Sequence, residues 1–381
     1  MIVIADDITG AAEIAGIAFE HGQQVRLVCG CTTAIDKTAT DAAEATDRTA
    51  TDAATVIATD TRSMTADEAT AETRRVAAPF ANCIIFKKTD SALRGHVVEE
   101  LTALMETTGM RRAVYLPANP SKGRVIRNGV YYIKQEKKQG EEETIPIHET
   151  DFRFDPEFPA RTSVLKERFP DAEAHGILMP DAETADDIRR VIAQYDDGQT
   201  LFAGAADLFS AMLESSSISS FSRISSSSSS SMLSGQSTLI LCGSTQSRAL
   251  DLGIPVAPMP RTIYDGAGDL SLWDTSAYDA AHSLILSITH THRTGKEVAV
   301  HLRTVMAEMT KHLVARHRPD HLIIEGGATA WATLQALGWS AFEIKRQIAP
   351  GVVQMSATNG TLVTLKPGSY PWGGLFQSFS E

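Results

Sequence analysis

The chain has 381 residues, room for two ordinary domains. Hydrophobic residues at 43% and charged residues at 22% suit a globular enzyme with sizeable cores, and no apolar run approaches the length of a membrane span. A formal charge of −12 with no basic stripe to offset it argues against a nucleic-acid partner.

In chain order, Ile2-Val3-Ile4-Ala5 predicts a buried strand ending in Asp6-Asp7, and Thr9-Gly10-Ala11-Ala12 opens a helix of small residues. Asp7 caps that helix on the plainest reading. The chain enters a strand at once and reaches acids by Asp6, which reads against a secretory leader. Gln24 to Val28 is a second strand, followed by a polar Thr/Ala/Asp-rich insertion at 32–54. Thr55 to Ala58 resumes the sheet and runs into Asp60-Thr61-Arg62-Ser63, with a helix over 66–79. Cys83 to Phe86 leads into Lys87-Lys88-Thr89-Asp90-Ser91-Ala92-Leu93-Arg94-Gly95 and a helix. Ala113 to Leu116 is the next strand, and Asn128-Gly129 marks a hairpin before Val130. The charged, Pro-punctuated stretch 134–175 reads as a long loop or cap. Strands at 176–179 and 200–203 flank a helix at 184–195.

Composition then breaks: serine dominates 214–237, the natural domain boundary. Beyond it the strand-and-helix theme restarts at Thr238 to Cys242, followed by Gly243-Ser244-Thr245. Further strands are expected at 283–286, 321–324, 342–348, 352–355 and 362–365, with a long helix at 296–316 and Gly326-Gly327-Ala328-Thr329 opening another. This pattern predicts an α/β protein: two doubly wound, mainly parallel-sheet domains with a cleft between them, residues 1–213 and 238–381. The four cysteines (Cys29, Cys31, Cys83, Cys242) read as free thiols in a reducing cytoplasm. His290 and His292 lack a third metal ligand nearby and read as surface residues.

Three strand ends in the first half carry a mixed charge set: Asp6 and Asp7; Asp60 and Arg62; Lys87, Lys88, Asp90, Ser91 and Arg94. In a shared parallel sheet these ends lie along one edge, where they suit a small hydroxylated acid. The glycine turns of the second half suit phosphate held by backbone N–H groups. No Walker-type or dinucleotide glycine motif is present.

The chain resembles the four-carbon acid sugar kinases. The resemblance rests on Ala5 to Ala11, Asp60 to Ser63, Lys87 to Gly95, Pro117-Ala118, Gly123-Arg124 and Asn128-Gly129. In the second half it rests on Gly243-Ser244, Gly326 to Thr329, Ala349 to Val352 and Lys366 to Gly368. It implies an N-terminal sugar-acid domain and a C-terminal ATP domain, with small-molecule sugar acid and ATP as partners and Mg²⁺ bridging the phosphates. Asp7, with Asp6 as second choice, would take the proton. Arg62, Lys87 and Arg94 would hold the carboxylate, and Asp90 and Ser91 the hydroxyls, with Thr9 and Lys88 beside them. Gly243, Ser244, Gly326, Gly327, Thr329, Gly351 and Lys366 would cradle ATP. The sequence leaves a protein metal ligand unknown and a homodimer open. Three features depart from the family: Ala328 stands where Asp is usual, the loop from Lys366 to Gly374 is altered, and the C-terminal half is somewhat short. They keep a rival in view, a sugar-acid-binding protein with a degenerate ATP site. A metal-dependent aldolase or isomerase is a further rival.

Overall fold

A computed structural model of the protein describes residues 1–30, 35, 53–136, 142–155, 157–215, 236–243, 250, 252–368, 370, 372, 375 and 376. The polar insertion and the serine-rich stretch, except at their ends, lie outside these residues, as do Cys31 and Ser244.

The first half forms a parallel sheet from β1 (Ile2–Ala5), β2 (Gln24–Cys29), β3 (Ala53–Ala58), β4 (Ile85–Lys88) and β5 (Arg112–Leu116). β6 (Arg124–Arg127), β7 (Val130–Glu136) and β8 (Glu142–Pro146) make a separate antiparallel sheet: the expected hairpin at Asn128-Gly129 forms, and β8 adds a third strand where a loop was expected. The Asn128-Gly129 turn between β6 and β7 has positive φ at both positions, as a tight hairpin demands. β9 (Ile177–Leu178) and β10 (Thr200–Gly204) complete the first half. The second half contributes β11 (Thr238–Cys242), β12 (Val256–Pro258), β13 (Ser283–Ser287), β14 (His321–Glu325), β15 (Ala341–Ala349), β16 (Val352–Ala357) and β17 (Leu362–Lys366).

The principal helices are α1 (Ile8–Glu20), α2 (Ala66–Ala77), α3 (Val97–Thr108), α4 (Ala185–Tyr195), α5 (Ala206–Ser215), α6 (Lys296–His317) and α7 (Gly327–Leu337). Their starts follow local chemistry. Thr65 and Glu68 form a reciprocal capping box on α2, as Thr184 and Asp187 do on α4. Among the described residues, no helix is long and apolar enough to cross a membrane.

The two parallel sheets are not separate. The strand order is β12-β13-β11-β14-β17-β16-β15-β2-β3-β1-β4-β10-β5-β9, one 14-stranded sheet. The other strands of this sheet pair in parallel within each half, and β15 and β16 of the second half join the halves through antiparallel pairings. β15 pairs with β2 with Phe342 opposite Leu27, so neither half leaves that edge open to solvent. Apolar side chains from both halves merge into one core that runs from Val3 and Ile4 to Leu322 and Val363. Strand periodicity reveals a strand's faces but not its edge partner, which explains why the junction was not foreseen.

β3, β1 and β4 lie side by side in parallel, with Ala5 opposite Ala58 on one flank and Lys88 on the other. The three charged strand ends therefore sit on one edge, and α1 carries that edge toward α7 of the second half.

Candidate active site

An open cleft of about 860 Å³ lies between the halves. Its N-terminal wall is the charged strand-end set; its C-terminal wall includes Gly243, Gly326, Gly327, Ala328 and Thr329. That size is within the usual range for small-molecule sites.

Asp7 stands at the centre. It caps α1 by accepting from the Gly10 N–H at 2.9 Å, and the Thr9 hydroxyl donates to its other oxygen at 2.5 Å. Arg62 Nη2 lies 3.2 Å from Asp7 Oδ1. Burial alone would raise the Asp7 pKa, but the charges of Arg62 and Lys88 outweigh it and hold the carboxyl below its usual range. Asp7 is thus ionised, fixed at both oxygens and exposed to the cleft.

Asp6 behaves oppositely. It is buried beneath Arg62, whose Nε and Nη2 donate to Asp6 Oδ2 at 3.0 and 2.9 Å. Its Oδ1 has no hydrogen-bond partner, and burial pushes its pKa up. Asp6 does not line the cleft; its observed contacts orient Arg62.

β4 ends two residues later than the sequence predicts, so Lys87 and Lys88 are strand residues and point to opposite faces. Lys88 reaches the cleft, 3.6 Å from Glu13 Oε2. Lys87 turns away, against expectation. It is 1% exposed and donates to Glu100, which also accepts from Thr61 at 2.8 Å and Thr73 at 3.2 Å. Through Thr61 this buried network holds the turn that carries Arg62.

Asp90 and Arg94 line the cleft as a bidentate pair, Nε to Oδ2 at 2.8 Å and Nη2 to Oδ1 at 2.9 Å. Despite burial, Arg94 and Arg62 hold the Asp90 carboxyl well below the usual range. The charges of Arg62 and Arg94 are therefore already matched by protein carboxylates. Ser91 lines the cleft and its hydroxyl accepts from Arg124.

Arg124 was not singled out for a role. It lies in the cleft, bonds to the neutral Ser91 hydroxyl, sits 5.7 Å from the Phe152 ring centre, and makes no ion pair among the described residues. The Gly123-Arg124 motif marked its position without showing that the small sheet folds over the strand ends. Glu13, Lys122 and Tyr370 were also missed. Lys122 Nζ donates to Glu13 and to the Tyr370 hydroxyl at 2.7 Å, linking the halves across the cleft. No signal short of the fold joins residues so distant in sequence.

In the second half, Gly326 and Gly327 start α7, and a Cβ at Gly327 would stand 3.2 Å from the Thr9 side chain and 3.4 Å from Asp7 Oδ2. The glycine turn thus faces the Asp7 carboxylate directly. A Cβ at Gly243 would come within 2.2 Å of Thr329 Oγ1, so this position requires glycine. Two expected cradle residues lie elsewhere. Lys366 is buried, bonded to Glu325 at 2.5 Å and to the Pro367 and Gly368 carbonyls, so it shapes the loop that lines the cleft instead of entering the cleft itself. Gly351 sits behind Tyr370, whose ring leaves no space for a side chain there. His292 bonds Asp265 at 2.9 Å and packs on Tyr264.

Asp60, at the end of β3, has φ 57 and accepts from the Ser63 hydroxyl at 2.6 Å. Burial pushes its pKa up to about 6, although the Ser63 bond acts the other way. An acid with a raised folded pKa costs stability when ionised, and the cost is relieved as pH falls through about 6 toward the unfolded value. Asp60→Asn keeps the left-handed backbone, which Asn tolerates. It should stabilise the protein by about 1–2 kcal/mol at pH near 8, with the gain vanishing by about pH 4. Thermal melts across that range check this; a gain independent of pH would contradict it.

Comparison with known proteins places the two walls in two domain families. Residues 1–171 match the sugar-binding N-terminal domain, and residues 262–370 match the nucleotide-binding C-terminal domain. The chain is 24% identical over 417 aligned positions to the 3-oxo-tetronate kinase of Actinobacillus succinogenes, covering 97% of this chain and 96% of that protein. It is 27% identical over 171 residues to the D-threonate kinase of Salmonella typhimurium, covering 44% of this chain but only 35% of that relative's length. A Haemophilus influenzae structure superposes with TM-score 0.65 at 19% identity, covering 100% of this chain and 99% of its own. A Salmonella typhimurium structure gives 0.69 at 18%, covering 100% and 98%, and the two establish the fold. With a sugar-binding domain followed by a nucleotide-binding domain, and a kinase relative aligned across both, the chain belongs to the four-carbon acid sugar kinase family.

Proposed function

We propose that the protein is an ATP-dependent kinase that transfers the γ-phosphoryl group to a hydroxyl of a sugar acid of about four carbons. Threonate, erythronate and their oxo-acid relatives are the candidates, since the named relatives act on threonate and 3-oxo-tetronate. The observation that carries the reading is the approach of the Gly326-Gly327 turn to Thr9 and Asp7. A phosphate held on that turn would meet a hydroxyl held by Asp7.

Phosphoryl transfer needs positioning and charge neutralisation more than covalent help. Arg124, bonded to the Ser91 hydroxyl and in no ion pair among the described residues, would grip the acid's carboxylate. Ser91 and Asp90 would orient its hydroxyls. Asp7, kept ionised by Arg62 and Lys88, would accept the proton of the attacking hydroxyl. The N–H groups at the start of α7 would hold the phosphates. The carboxylates of Asp7, Glu13 and Asp90 are engaged by cations, so magnesium would arrive as MgATP, held by phosphates and water. Domain boundaries near 213 and 238 suit this division of labour.

ATP turnover against a panel of three- to five-carbon aldonic acids and their oxo relatives is the test. The reading expects a four-carbon acid to give the highest kcat/KM. Acid binding without ATP consumption would favour a sensor with a degenerate nucleotide site, as Ala328 on the cleft wall would allow.

A further inference from the structure

The cations of the N-terminal wall are mostly engaged. Arg62 faces Asp6 and Asp7, Lys88 faces Glu13, and Arg94 faces Asp90. The C-terminal wall is glycine, small or apolar almost throughout, as at Gly243, Ile288, Leu302 and Gly327. Among the described residues it presents one charged side chain to the cleft, Arg303. Arg303 stands in the second turn of α6 beside the buried Leu302 and is partly exposed. Among the described residues it makes no ion pair or hydrogen bond. Its charge reaches Asp60 at the end of β3, across the cleft. Lys366, the cation that the sequence placed at the nucleotide, is buried against Glu325.

A nucleoside triphosphate carries several negative charges, and backbone N–H groups alone match only part of them. We propose that Arg303 contacts the terminal phosphate of the bound nucleotide and neutralises it during transfer. The inference rests on the reading of the cleft as an ATP site and deepens it. In the step, the γ-phosphorus forms a bond to the substrate hydroxyl oxygen. Its bond to the β–γ bridging oxygen breaks, and that electron pair leaves with ADP. The hydroxyl proton passes to Asp7. Arg303 makes and breaks no covalent bond, and its charge meets the oxygens of the group in flight.

The test is calorimetric titration of the full chain, without sugar acid, using Mg²⁺ with ADP and with a non-hydrolysable ATP analogue. Arg303→Met should weaken the triphosphate analogue about 10- to 100-fold, the worth of a charge-assisted contact, and ADP by less than about threefold. Arg303→Lys should recover part of the loss, because it keeps the charge without the fork. In turnover assays Arg303→Met should lower kcat about 10²- to 10³-fold while the KM for the acid stays near wild type.

Equal weakening of ADP and the analogue, or weakening of neither, would overturn the assignment. So would an Asp60→Asn variant that reproduces the Arg303→Met profile, because Arg303 would then act only by holding the β3 end. Wild-type protein that binds neither nucleotide would overturn the kinase reading together with this one. Normal wild-type binding with an indifferent Arg303→Met variant would overturn the role of Arg303 alone.

Discussion

Asp7→Asn is expected to lower turnover by about 10²- to 10⁴-fold, the range for loss of a positioned general base. The substitution is nearly isosteric, and the amide oxygen can still accept from the Gly10 N–H, so the α1 cap survives. What disappears is the negative charge that faces Arg62 at 3.2 Å and Lys88 beyond it. Those cations then meet less internal competition, so acid affinity should hold or improve while kcat falls. Steady-state kinetics with the best acid of the panel reads both quantities. Near-normal kcat would remove Asp7 from proton transfer. A large rise in KM with kcat intact would make it a binding residue instead.

The second large effect concerns Lys87, which lies outside the cleft. Lys87→Met strips the cation from a pair in which both side chains are almost fully buried, leaving Glu100 charged with the Thr61 and Thr73 hydroxyls as its partners among the described residues. Removing one member of such a pair costs about 3–5 kcal/mol. Replacing both, as Lys87→Met with Glu100→Leu, removes the stranded charge and should restore much of the stability. Denaturant unfolding of the two single variants and the double variant measures this as a cycle. An unchanged midpoint for Lys87→Met, with loss of acid affinity, would put Lys87 in contact with substrate after all.

Much of the parallel sheet was legible in the sequence because apolar strand-length runs alternate with helical spacing, and polar strand ends announce the ligand edge. Asp7, Thr9, Arg62, Asp90, Ser91 and Arg94 come together as that logic expects. Lys87 misled because β4 extends two residues past its apolar core, and a strand's alternation then sends adjacent lysines to opposite faces. Lys366 misled for a related reason: its charge, visible in the sequence, is already matched by Glu325 on the neighbouring strand β14. The Asn128-Gly129 turn announced the β6–β7 hairpin, but not that with β8 it folds over the strand ends, so Arg124 and Phe152 reached the cleft unannounced. Arg303 lay within a correctly expected helix, yet its spacing could not say which face would meet the site.

The most direct measurement is a crystal structure of the protein with the preferred sugar acid and a non-hydrolysable ATP analogue. The account predicts the acid's carboxylate on Arg124, one hydroxyl within hydrogen-bond distance of Asp7, and the terminal phosphate between that hydroxyl and the Gly326-Gly327 turn. An acid bound away from Asp7, or a nucleotide whose phosphates avoid the start of α7, would contradict it.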